Sequence, residues 1–227
     1  MKLPFATSFR ALARPGAAFT APPPRLGTAV RDMALVWVPL ALVNSAWTLW
    51  RALHSYDALR RGQVPVGLLA RLGVGPGDLH ELLSGLPAPP AFGQVWLWLL
   101  LAVPLGVMGT WLHHAVWDHT ALWLLGGLKQ KRGFRTSLLA EAEALRIAAV
   151  GTLVGLLGFV PVLGLLLALP LLLLDAYLWL FRGYALAARH GCEPWRGIAA
   201  TVVHAVLLGC CGLGVGCLLL WMVRMAA

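Results

Sequence analysis

Long apolar runs alternate along this chain with short charged or proline-rich joins. Met33 to Trp50 is a run of about 18 residues, the length at which an apolar stretch becomes a candidate for crossing a bilayer. Comparable segments stand at 30–53, 92–114, 138–160, 162–186 and 199–223. Inside the fourth, Leu165 to Leu174 reads LLLALPLLLL. In hydrocarbon each backbone N–H and C=O must be satisfied within the segment, which an α-helix achieves. The pattern therefore predicts an all-α, polytopic transmembrane bundle of five spans.

The joins set its organisation. Residues 1–28 form a basic leader broken by Pro4, Pro15 and Pro22-Pro23-Pro24, and residues 29–227 form the transmembrane domain. In the leader Phe5, Phe9 and Leu12 fall at i, i+4, i+7. That spacing suits either a short amphipathic helix on the membrane surface or a disordered tail. Residues 54–91 are a Gly- and Pro-rich loop in which short helices are expected near Val66–Leu72 and Gly77–Leu83. The second helix is expected to run past His113-His114 and to stop at Gly126-Gly127, its end beyond Trp111 leaving the hydrocarbon. Ile147 to Val160 covers only about 21 Å of a core roughly 30 Å thick. The third helix must then begin earlier, near Leu138, or the segment is re-entrant; the first is preferred. Pro161–Gly164 is a tight uncharged turn, and Arg182 to Arg196 is a basic loop.

Composition sharpens this picture. Of 227 residues 59% are hydrophobic and 12% charged, where a soluble domain carries about a quarter of its residues charged. Eleven Trp fit membrane interfaces. The net charge of +9 does not point to nucleic acid, because the basic residues lie between the apolar runs rather than on one soluble face. With the N-terminus inside, thirteen of the eighteen basic residues fall on the cytoplasmic side and five outside. By the positive-inside rule this predicts N-in, C-out, with loop 54–91 external. Fifteen Arg against three Lys hint at a GC-rich genome and a bacterial inner membrane.

Chemistry is sparse. Cys192, Cys210, Cys211 and Cys217 form no CxxC or zinc spacing and read as small hydrophobes. No nucleophile elbow, GxGxxG, Walker or HExxH motif is present, so no catalytic, cofactor or metal site is expected. His113, His114, Asp118 and His119 cannot all face one ion from one helix. Gly151, Gly155 and Gly158 share a face, and Gly209, Gly212 and Gly216 extend a small-xxx-small pattern that starts at Ala205; both stripes predict close helix packing. The sharpest candidate is an intramembrane polar pair, Asp175 and His204, each about 10 Å from the same cytoplasmic boundary by helix rise. The pair reads either as a proton relay or ion site, or as a structural hydrogen bond. Asp175 could instead lean toward Tyr177 and the interface.

Four stretches together resemble the Ypt-interacting protein (Yip) family: Arg14-Pro15-Gly16-Ala17-Ala18-Phe19; Leu124-Leu125-Gly126-Gly127 with Gly133-Phe134-Arg135-Thr136-Ser137-Leu138; Phe159-Val160-Pro161-Val162-Leu163-Gly164; and Arg189-His190-Gly191-Cys192-Glu193-Pro194-Trp195-Arg196-Gly197-Ile198. Glu141, Glu143 and Cys192-Glu193-Pro194 depart from the family pattern. The resemblance implies a five-helix, non-enzymatic membrane protein that organises membranes or scaffolds membrane partners, with no cofactor. Expected partners are the lipid bilayer, other membrane proteins or a second copy of itself, and no nucleic acid. The rival expectation is a small transporter or channel-like protein using Asp175 and His204.

Overall fold

The computed structural model describes residues 4–61, 85, 87–128 and 132–226. Every regular element among them is helical: α1 (Pro4–Ala13), α2 (Pro15–Ala18), α3 (Leu26–Arg60), α4 (Phe92–Leu124), α5 (Phe134–Gly155), α6 (Pro161–His190) and α7 (Pro194–Ala226), with a 3-10 turn at Leu156–Phe159. Five of these helical segments are long and apolar enough to cross a membrane, as the hydrophobic pattern requires. The short helices expected within the loop at 54–91 lie outside the described residues.

Local chemistry explains the helix ends. Gly126 has φ 66°, and Gly127 N–H donates to Leu122 O at 2.9 Å, so the paired glycines close α4 with a left-handed cap. Gly191 does the same for α6, with φ 69° and Cys192 N–H on Ala187 O at 3.1 Å. The helix of the third candidate span starts early: α5 begins at Phe134, ahead of Leu138, and runs unbroken to Gly155, long enough with the following 3-10 turn to cross a membrane. Val160 is extended because it precedes Pro161, which opens α6 at a position where its missing N–H costs nothing.

The chain divides into two units, residues 1–40 with 106–227 and residues 41–105. In the second unit Tyr56 donates to Pro87 O at 3.0 Å, and Trp47 lies 5.1 Å from Trp50 between ring centroids. In the first, α6 packs along both α5 and α7. Its core is built on Phe19, Leu122, Ile147, Phe181 and Leu186 among buried alanines at 121, 140, 144, 185 and 200. Small side chains let helix backbones approach where no water drives them together. The leader is part of this core. Leu12 packs against it, Tyr177 donates to Leu12 O, and Phe19 meets Phe181 at 5.4 Å between centroids.

The glycine stripes are only partly used for packing. Gly151 is buried where a side chain would collide with Leu178, and Gly158 lies within ordinary contact of Leu171 at 3.6 Å. Among the described residues nothing lies within 4 Å of where a Cβ on Gly155, Gly209, Gly212 or Gly216 would stand. Spacing puts glycines on one face, but it does not say whether a neighbour covers that face. The tight crossing lies elsewhere: a Cβ on Gly183 would stand 2.6 Å from the Gly197 and Ile198 backbone. Cys210, Cys211 and Cys217 are on the outside of α7 rather than packed within the bundle.

Candidate functional site

The most polar place in the first unit is formed by four helices, and Arg182 of α6 is its centre. Arg182 is 2% exposed, and Asp118 on α4, Glu141 on α5 and His204 on α7 are wholly buried. Arg182 Nε donates to Glu141 Oε2 at 3.0 Å, and its Nη2 donates to Asp118 Oδ2. The guanidinium also lies over the Trp179 ring, 4.5 Å from its centroid.

His204 Nδ1 is 2.6 Å from Asp118 Oδ1 and 3.4 Å from Arg182 Nη2. A guanidinium can only donate, so one Nδ1 cannot serve both neighbours. The shorter contact decides: Nδ1 carries the hydrogen and donates to Asp118. His204 Nε2 is then free to accept from His113 Nε2, 3.3 Å away. His114 and Trp117 complete the aromatic surround, with centroids 5.4 Å and 6.2 Å from the His204 ring.

Beside this cluster run further polar links. His119 Nδ1 meets Ser137 Oγ at 2.8 Å, and Ser137 Oγ meets His190 Nε2 at 2.8 Å. Arg189 grips Glu143 with two hydrogen bonds, 2.6 and 2.8 Å, and donates to Ala21 O at 2.9 Å, tying the leader to α5 and α6. Arg196 donates to Leu125 O at 2.7 Å and Gly126 O at 3.2 Å, satisfying carbonyls left open at the end of α4.

This arrangement corrects the pairing expected from the sequence. Asp175 and His204 are at nearly the same level, as neighbouring contacts show: Gly183 lies against Gly197, and Trp179 Nε1 donates to Thr201 O at 2.8 Å. Their directions differ. Asp175 is exposed and lies by Gly151 of α5, whereas His204 reaches to α4 and takes Asp118. Among the described residues Asp175 makes no hydrogen bond or ion pair. Depth follows from helix rise, but azimuth depends on how each helix is rotated by its neighbours.

The sequence weighs Asp118 only within a metal set and Glu141 only as a departure from the Yip pattern, and it does not bring either of them to Arg182. Asp118 stood in what looked like an interfacial helix end, Glu141 in a charged connector and Arg182 among topology-setting basic residues. One signal was available: Glu141 lies in the run Ala140-Glu141-Ala142-Glu143-Ala144, and alanines on a bundle helix mark a closely packed face. Of the four residues weighed as a metal set, His113, His114 and Asp118 do meet around His204, while His119 is turned to Ser137. Among the described residues no group of three or more His, Cys, Asp or Glu is arranged to hold a metal ion. No protein-family model, curated protein or solved structure matches the chain.

Proposed function

We propose that this chain is a non-enzymatic multi-pass protein of Yip-like type, sited N-in, C-out in a bacterial inner membrane, that scaffolds membrane partners. The observation that carries this reading is the contrast between the two halves of α7. Its first half is bound into the bundle through Gly197, Thr201 and His204. Its second half presents Gly209, Gly212 and Gly216 with nothing near them, beside Leu213 at 73% exposure. In a bilayer, small residues on an uncovered helix face are what allow a second helix to approach closely.

Support for the Yip-like organisation comes from contacts between stretches that carry the resemblance. Arg196 of the fourth stretch caps Leu125 and Gly126 of the second, and Ser137 of the second bonds His190 of the fourth. A photo-crosslinking residue at position 213 tests the scaffold. Discrete adducts with a membrane protein or a second copy are expected in native membranes. Adducts with lipid alone, at 213 and at neighbouring exposed positions such as Val206, would refute a partner on this face.

A further inference from the structure

Two carboxyls meet one guanidinium in the Arg182 cluster. Asp118 and Glu141 face each other within hydrogen-bond reach, and both are fully buried. Two ionised carboxylates beside one Arg would leave a surplus negative charge out of water, which burial strongly disfavours. Like charges sharing one site also resist joint ionisation. Among the described residues Glu141 Oε1 and Arg182 Nη1 are buried without a hydrogen-bond partner, so the network is one hydrogen short at the glutamate. Asp118 already accepts from Arg182 on Oδ2 and from His204 on Oδ1, which marks it as the carboxylate of the two.

We propose that the Asp118–Glu141 pair is a proton-binding site, with the proton resting on Glu141 and His113 and His204 forming the path by which it loads. Loading from the empty state balances. One proton is taken up at His113 Nδ1; the His113 Nε2 proton passes to His204 Nε2; the His204 Nδ1 proton passes to Asp118 Oδ1; and Asp118 hands it to Glu141. One proton has entered, no electrons have moved, and both imidazoles remain neutral with their tautomers exchanged. His113 is the path's outer end because it is only half-buried. The charged and titratable groups that face the pair are His113 and His114 from α4, Arg182 from α6 and His204 from α7. The site stands independently of any scaffold role.

Infrared spectroscopy of the full chain in lipid reads this directly. At neutral pH the protein should show the carbonyl stretch of a protonated carboxylic acid. The band should shift when glutamate is labelled with carbon-13, vanish in Glu141→Gln and persist in Asp175→Asn. The labelling arm needs no variant, so it stands even where Glu141→Gln fails to fold. His113→Phe should keep the band and slow its hydrogen–deuterium exchange. Absence of the band overturns the site, since neither carboxyl would then hold the proton, and a band that glutamate labelling does not shift overturns Glu141 as its resting place. Exchange in His113→Phe as fast as in the parent overturns the path.

Discussion

His204 Nδ1 lies 2.6 Å from Asp118 Oδ1, two wholly buried residues 86 positions apart on α7 and α4. With Arg182 between them and Glu141, this contact joins four helices through one polar knot. The bundle is therefore locked by specific partners as well as by alanine-lined surfaces, and each partner can be removed separately.

Removing the centre should be severe. Arg182→Met takes the guanidinium from two buried carboxyls, and breaking a buried ion pair from one side costs about 3–5 kcal/mol. Thermal unfolding in detergent should show a large loss relative to the parent. An Arg182→Met protein as stable as the parent would mean that the knot holds nothing together.

The identity of the histidine's partner can be read by double-mutant cycles. His204→Ala with Asp118→Asn should be non-additive, with a coupling of about 0.5–3 kcal/mol, the range for residues in one network. His204→Ala with Asp175→Asn should add, because the two side chains share no contact. Coupling to Asp175 instead would restore the pairing that helix rise alone suggested.

Glycines on the two halves of α7 should behave oppositely. Gly197→Val forces α7 off α6 at the Gly183 crossing and should lower the unfolding temperature sharply. Gly209→Ala meets nothing and should be neutral or raise helix stability by up to about 1 kcal/mol. Equal destabilisation by both would contradict the placement of the crossing.

Orientation is open to cysteine labelling in a background whose four native cysteines are replaced by alanine. With an impermeant maleimide on intact cells, Ala88→Cys should label and Thr20→Cys should label only after permeabilisation. Both positions are exposed, so access depends on the side of the membrane alone. The reverse pattern would invert the N-in, C-out arrangement drawn from the basic residues.

What the solvent demands is written in the order of residues alone. Apolar length specified five helices long enough to cross a membrane, and Gly126-Gly127 and Pro161 marked where backbone geometry ends or starts one, because these depend on neighbours along the chain. The leader was legible as a helix candidate, but its docking through Phe19 and Leu12 was not. Of the candidate site the sequence offered His204 as a buried polar candidate, but with the wrong partner, and its assembly belongs to the tertiary structure. Asp118, Glu141, Arg182 and His204 are scattered over four helices, and a charge near a helix end reads the same whether it faces water or a partner. Only the rotation and approach of the helices, set by contacts such as Gly183 on Gly197, turn those four inward. The same packing leaves Asp175 outside.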